Sequence, residues 1–380
     1  MHSNYLLLAS AILTSFILTY VFIPSIIKVA IIKHLYDTPD ERKSHHGVIP
    51  TLGGVGIFGG FIIGFCLFAR FDIKSTEIKY VIAALSFMFM LGAKDDIVEL
   101  VANKKFIGQI FAAAVIVILG DIRLTSLYGL FGISMIGDIP SYTLSIITII
   151  FIINSFNLID GINLLAASVG IIVTATFGTW FLMHDFFDYA ILAAAMGGAL
   201  FAFLKYNYTP ARIFMGDSGS LSVGLLVAVL AIQFIEKNEM VMAFNANQHE
   251  LIHISAAPAM AIAVLIIPLY DTLRVFTMRL LNKKSPFIAD RNHIHHKLLD
   301  LGLSHNKATV ILIIVNLLFI ISSYFLQFLG NMYLMILQLF VATVFTFLLF
   351  SMKSKKKVIV SKMNEIQFSV EMETPQNSLH

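Results

Sequence analysis

Charge is scarce in this 380-residue chain: Asp, Glu, Lys and Arg make up 13% of it, where a soluble domain carries about 25%. Cysteine is scarcer still. Cys66 stands alone inside an apolar run, which excludes a secreted scaffold held by disulfides. Nor does one sign of charge prevail, since 26 basic against 23 acidic residues leave only +3, too little to steer a nucleic acid. Hydrophobic residues fill 58% of the chain, more than a water-facing surface could enclose. Apolar runs approaching the roughly 18–20 residues that cross a hydrocarbon core recur from end to end. The sequence predicts an all-α polytopic membrane protein.

The runs fall at 5–27, 52–69, 79–93, 106–120, 142–156, 161–183, 188–204, 218–235, 254–271, 308–329 and 331–352, which predicts about eleven transmembrane helices. Residues 1–352 then form one membrane domain, and 353–380 a polar, Lys-rich tail that is cytoplasmic and disordered. The first run is longer than a signal-peptide core and has no small-residue cleavage site, so it reads as a retained anchor. Of the 26 basic residues, 21 lie in the odd-numbered connections and the tail. By the positive-inside rule those connections face the cytoplasm, with the N-terminus outside and the C-terminus inside. Residues 122–139, spaced by glycines and partly alternating, read as an external hairpin. Asp185, Asp188, Glu236 and Glu239, on that same outer side, read as ordinary loop charges.

The unusual polar residues gather in five segments, all at the odd connections: 37–54, 92–99, 154–163, 207–220 and 271–296. A cytosolic substrate handled at the membrane surface explains that asymmetry, whereas a channel lining would spread through the bilayer. Asp95-Asp96 closes the third helix; adjacent carboxylates repel unless a cation or proton lies between them, although a solvated helix end would also carry such a pair. In Asn154-Ser-Phe-Asn157-Leu-Ile-Asp160-Gly161 the three polar residues recur every third position, so one helical face carries amides and a carboxylate. Those are hard ligands for Mg²⁺ or for a polar substrate; the plainer reading is an Asx cap before a turn. The segment Asn207–Ser220 ends in Phe214-Met215-Gly216-Asp217-Ser218-Gly219-Ser220. Its glycines allow close backbone approach at a helix N-terminus that attracts anions, while Asp217 as a mere N-cap would not need them on both sides.

The densest cluster is Asp290-Arg291-Asn292-His293-Ile294-His295-His296. No Cys or carboxylate quartet accompanies the histidines, which argues against zinc. His and Arg instead donate hydrogen bonds to phosphate and sugar oxygens, against the alternative of a solvated loop. Arg42, Lys43 and His45 precede Gly53-Gly54, where a lipid-borne phosphate would be received. Lys28 and Lys33 read as topological signals, as do Lys104 and Lys105.

Taken in order through residues 1–352, these segments closely resemble the polyprenyl-phosphate sugar-1-phosphate transferases, the enzymes that start peptidoglycan, O-antigen and teichoic-acid lipid carriers. The combination of GAKDD, NSFNLIDG, FMGDSGS and DRNHIHH carries the resemblance. Its Asp-Arg-x-His-x-His-His form is similar to the N-acetylglucosamine-1-phosphate branch; the peptidoglycan branch has a tighter His-His-His run. The resemblance implies a bundle with a cytoplasm-facing cleft in a bacterial inner membrane, Mg²⁺ (or Mn²⁺) as cofactor, a UDP-sugar donor and undecaprenyl phosphate as acceptor. It leaves a homodimer open.

By that resemblance Asp217 is the principal metal ligand, with Asp160 on the metal or nucleotide side. Asp95 and Asp96 serve the lipid phosphate and catalysis, with His293 also catalytic. Phe214 packs on uracil; Lys43 and His45 form the lipid-phosphate loop, and Arg291, His295 and His296 the sugar-diphosphate loop. Asn154, Asn157, Asn163 and Asn207 join the substrate-binding set. The family usually writes Asp-Gly-x-Asp-Gly, whereas this chain has Asn163 and Leu164 at the last two positions, so a negative charge is missing there. The implied reaction is attack of a polyprenyl phosphate oxygen on the β-phosphorus of UDP-N-acetylglucosamine, releasing UMP. A transporter would want ionisable groups near mid-bilayer and broken helices in matching halves, and neither pattern is evident.

Overall fold

A computed structural model of the chain describes residues 2–36, 49–71, 76–244, 254–283 and 292–352. The elements run α1 (His2–Ile32), α2 (Gly53–Phe68), α3 (Ile78–Ile97), α4 (Ala102–Ala114, continued by a π-turn, Val115–Leu119), α5 (Asp138–Ile159), α6 (Leu165–Met183), α7 (Phe187–Asn207), α8 (Gly216–Phe244), α9 (Ala257–Val264), α10 (Ile266–Leu281), α11 (Ile294–Asp300), α12 (His305–Leu326) and α13 (Gly330–Ser351). No strand forms among the described residues. In the 122–139 stretch Ser126 and Met135 make an antiparallel bridge, which Leu127 N–H flanks by donating to the Ser134 carbonyl at 2.7 Å. The predicted tail, 353–380, lies outside the described residues.

Seven helical segments among the described residues are long and apolar enough to cross a membrane, or eight if α9 and α10 make one bent span. The expected eleven include runs that fall short of that test. α2 has 16 residues, and α3 ends in Lys94-Asp95-Asp96. α12 and α13 run together as a 47-residue segment, His305–Ser351. They nevertheless fold back on each other, because Gln338 Nε2 donates to Ser323 Oγ at 2.9 Å across 15 positions of chain. A straight helix would hold those two residues roughly 22 Å apart.

The run 254–271, expected as one helix, is broken into α9 and α10 at 83°. Pro268 is the physical reason: lacking an N–H, it cannot donate to the carbonyl of Val264, so the ladder stops there. The freed carbonyls of Ala263 and Val264 accept from Asn316 Nδ2 of α12 at 3.0 and 3.2 Å. A buried amide on a neighbouring helix thus supplies what lipid could not.

Burial is graded from the inside out. α8 is the axis, with 94% of its apolar window buried, against 22% for α1 and 28% for His305–Ser351. The outer helices expose Leu6, Phe325, Phe340 and Phe347. A coat of that kind would be unstable in water and is ordinary in lipid, and the chain is a multi-pass membrane protein. Small residues let the inner helices approach closely. A Cβ on Gly92 of α3 would lie 2.4 Å from the Asp217 carbonyl oxygen, and one on Gly54 of α2 would lie 2.1 Å from the Gly219 nitrogen.

At the end of the bundle away from the α8 N-terminus, two acidic residues depart from the expectation of plain loop charges. Glu236 on α8 accepts from Thr125 N–H at 2.9 Å and Thr125 Oγ1 at 2.7 Å, and also from the Tyr128 hydroxyl, so it holds the 122–139 stretch to the bundle. Asp188 is buried in α7 and accepts the Arg70 N–H at 3.3 Å. Both carboxylates satisfy backbone donors that the loops leave open, a demand that is tertiary and cannot be seen in linear order.

Candidate functional site

Three helix ends meet at one end of the bundle. The C-terminus of α3 brings Asp95 and Asp96, the C-terminus of α5 brings Asn157 and Asp160, and the N-terminus of α8 brings Asp217. The close approach at Gly92 and Gly54 draws α3 and α2 against the first turn of α8. Gly216 has φ +70°, and a side chain there would meet the Thr51 carbonyl at 1.9 Å and the Asp96 carboxylate at 2.7 Å. Only glycine satisfies both the left-handed backbone and the contact.

Asp96 accepts the Asp217 N–H at 2.7 Å and the Ser218 N–H at 3.0 Å, one with each oxygen. A side chain from another helix therefore caps α8, answering two of its orphan donors with a negative charge at the positive end of the dipole. Asp96 lies past the apolar stretch of α3. Burial pushes its carboxyl up to about 6, against the opposing pull of its hydrogen bonds to Ser218 and Asp217.

Asp217 is met from two sides. Its Oδ1 accepts from Asn157 Nδ2 at 2.8 Å, and its Oδ2 pairs with the Lys105 ammonium of α4. Lys105 also reaches Asp95 Oδ2 at 2.9 Å, while Asp95 Oδ1 accepts the Leu100 N–H at 2.7 Å. Asn157 Nδ2 further donates to Ser220 Oγ at 2.9 Å. Asp160 sits just beyond α5. Burial of its carboxyl, reinforced by the charges of Asp217 and Asp96, pushes it well above the ordinary carboxylate range. Four carboxylates thus gather here, with Lys105 meeting Asp95 and Asp217, an arrangement that repels itself and favours a further cation.

The histidine segment reaches this centre from α11. His295 is fully buried, and a Cβ on Gly161 would lie 2.7 Å from its Nε2, so the ring packs against the Asp160-Gly161 turn. His293 stacks on His295 with ring centroids 5.4 Å apart, and His296 lies 4.3 Å from His295. Burial, with the charge of His296 adding to it, pulls the His295 imidazole down to about 3.

Of the remaining sequence-derived residues, Asn154 pairs with Gln109 of α4, Nδ2 donating to Oε1 at 2.7 Å. Phe214 is partly exposed beside α2, and its backbone carbonyl accepts the Gly53 N–H at 2.9 Å. Asn163 and Asn207 are buried ties: Asn163 Nδ2 donates to Thr209 Oγ1 at 2.9 Å, and Asn207 donates to the Ile213 carbonyl and accepts from Leu164 N–H. Lys43, His45 and Arg291 lie outside the described residues. Sequence reasoning takes Lys105 for a topological charge and gives Gln109 no role. Their signal is a spacing of four, which places both on one face of α4. Among the described residues no three His, Cys, Asp or Glu side chains close into a ready metal cage.

Comparison with known proteins gives one consistent picture. The profile of glycosyl transferase family 4 matches residues 78–235, which contain Asp95, Asp96, Lys105, Asn157, Asp160 and Asp217. A protein of Bacillus subtilis (strain 168), named "Probable undecaprenyl-phosphate N-acetylglucosaminyl 1-phosphate transferase", is 30% identical over 318 residues, covering 83% of this chain and 84% of its own. The decaprenyl-phosphate N-acetylglucosaminephosphotransferase of Mycolicibacterium smegmatis is 30% identical over 294 residues, 72% of this chain and 71% of its own. The undecaprenyl-phosphate alpha-N-acetylglucosaminyl 1-phosphate transferase of Salmonella typhi is 28% identical over 308 residues, 80% of this chain and 79% of its own.

Proposed function

The chain belongs to glycosyl transferase family 4, and on that premise we propose that it transfers N-acetylglucosamine-1-phosphate from UDP-N-acetylglucosamine to undecaprenyl phosphate, releasing UMP. The names of its relatives support the acceptor and the transferred group. The geometric observation that carries the reading is Asp217 at the N-terminus of α8, flanked by Asn157 and Lys105 and backed by Asp96. Such an assembly suits a diphosphate shared between a cation and fixed donors.

The donor atoms suit Mg²⁺, or Mn²⁺ in its place. Asp217 and Asp160 offer hard carboxylate oxygens whose mutual repulsion a divalent ion would relieve. Mg²⁺ commonly takes one or two protein carboxylates and completes its shell with water and substrate phosphate. When bound, the ion would supply charge neutralisation to the diphosphate.

The protein's own groups supply the rest. Lys105 balances Asp95 and Asp217 and lies where it can pass its charge to a diphosphate oxygen as substrate enters. Asp96, engaged by two backbone donors, holds the α8 terminus in place and acts as a positioning group rather than a base. No base is required, because a phosphate monoester with a second pKa of about 6 is already largely dianionic at neutral pH. Its oxygen attacks the β-phosphorus, the new phosphoanhydride forms as the old one breaks, and UMP leaves. The site faces the cytoplasm of a bacterial inner membrane in this reading, because the five segments lie on the side that carries 21 of the 26 basic residues. Membranes holding the chain should release UMP only when both UDP-N-acetylglucosamine and undecaprenyl phosphate are present. Release with either one alone would refute the reading.

A further inference from the structure

Two side chains of α10 grip three consecutive residues of the histidine segment. Asp271, itself buried, accepts from His293 Nδ1 at 3.1 Å and from the Ile294 N–H at 3.1 and 3.2 Å. Arg274, one helical turn on, donates to Asp271 Oδ1 at 2.9 Å and also to the carbonyl of Asn292. An Asp–Arg pair at i and i+3 therefore fixes residues 292, 293 and 294 together, just where the chain enters α11. Sequence reasoning gives neither residue a role, and the transferase reading does not need them.

We propose that Asp271 is a positioning residue that orients His293 and fixes its tautomer, so that Nδ1–H is held by the carboxylate and Nε2 is the atom turned to the substrate. An ionised carboxylate held by a guanidinium can only accept, so His293 must carry its proton on Nδ1. Nε2 is then the ring's second face. Neutral, it holds a lone pair that repels phosphate; protonated, it donates a charge-assisted hydrogen bond. A carboxylate behind the ring fixes its orientation and tautomer, as the Asp of a Ser-His-Asp triad does for its imidazole. Among the described residues, the other charged or titratable groups beside the ring are Arg274 from α10, whose charge Asp271 balances, and His295 and His296 from α11. His295 Nδ1 stands 4.0 Å from the same Asp271 oxygen, yet its burial keeps that ring neutral, so the carboxylate serves His293.

The activity arm of the test rests on the transferase reading; the spectroscopic arm does not. Histidine-labelled protein in detergent gives the state of His293 by ¹⁵N NMR, its signal being the one lost in His293→Gln. In the wild type, neutral His293 should be the Nδ1–H tautomer. In Asp271→Asn, whose amide can donate as well as accept, a neutral Nε2–H form of His293 should become detectable. Turnover at neutral pH should fall about tenfold or more with it. A neutral Nε2–H tautomer in the wild type overturns the proposal, and so does an Asp271→Asn protein whose His293 tautomer is unchanged from the wild type. Should Asp271→Asn fail to fold, the wild-type tautomer decides alone. A wild type that shows the stated tautomer but transfers nothing refutes the transferase reading and leaves the Asp271–His293 coupling standing.

Discussion

Asp96 and Asp217 lie 121 positions apart, and the carboxylate of the first accepts the backbone N–H of the second at 2.7 Å. The bond joins the end of α3 to the start of α8 and gives neighbouring aspartates different work. Asp96 holds backbone, while Asp217 turns its carboxylate toward Asn157 and Lys105.

Asp217→Asn tests that division. The amide keeps the size and loses the charge, so turnover should fall on the order of 10²–10³-fold, with slight recovery at high Mg²⁺. Initial rates across a Mg²⁺ titration, on protein inserted at wild-type levels, decide it. Wild-type rates throughout would remove Asp217 from the metal.

Lys105→Gln takes away a cation that bridges Asp95 and Asp217. Turnover should drop by roughly 10²-fold, and Lys105→Arg should recover part of the loss. If Lys105 were only a topological charge, Lys105→Gln would alter insertion and leave the rate per inserted molecule unchanged.

The helix contacts at the site have no slack. Gly92→Ala and Gly54→Ala place a methyl 2.4 and 2.1 Å from backbone atoms of α8, and each should cost about 1–3 kcal/mol. Gly59→Ala, whose nearest neighbour is a Phe22 ring atom at 3.4 Å, is the control and should be near neutral. Thermal unfolding in detergent ranks the three, and equal Tm values would contradict the packing described.

His295 makes stability depend on pH in one direction. Its folded value of about 3 lies below the ordinary 6.5, because burial disfavours the charge. The folded protein refuses a proton that the unfolded chain accepts. The stabilisation is complete above 6.5 and is lost as pH falls from there toward 3. Between about pH 7 and pH 5 the Tm of wild type should fall, and that of His295→Gln should fall less steeply. Parallel slopes would show that His295 is not the group responsible.

Much of this site is legible in linear order because lipid makes polarity conspicuous. Asp217, Asn157, Asp160 and the Asp95-Asp96 pair each interrupt an apolar run, and the structure gathers them at one end of the bundle. Lys105 is not legible in that way, because a lysine at a helix end satisfies the positive-inside rule whether or not it touches a carboxylate. Asn163 and Asn207 are conspicuous for the same reason as Asn157, yet their amides answer buried hydroxyl and backbone groups. Which partner an amide meets is a tertiary fact. The α9–α10 break has a signal in Pro268, but hydropathy passes over a proline without pause. The partners of Glu236 and Asp271 are not legible, because what each holds lies more than 20 positions away.

The most direct measurement follows the phosphorus. UDP-N-acetylglucosamine labelled with ³²P only at the sugar-proximal phosphate is incubated with purified protein, Mg²⁺ and undecaprenyl phosphate, and the lipid and aqueous phases are separated. Transfer of the sugar with its phosphate predicts label in the lipid, one equivalent of unlabelled UMP in the water, and return of label to UDP-sugar when excess UMP is added. Sugar reaching the lipid while the label stays in a nucleotide or in free phosphate would contradict it.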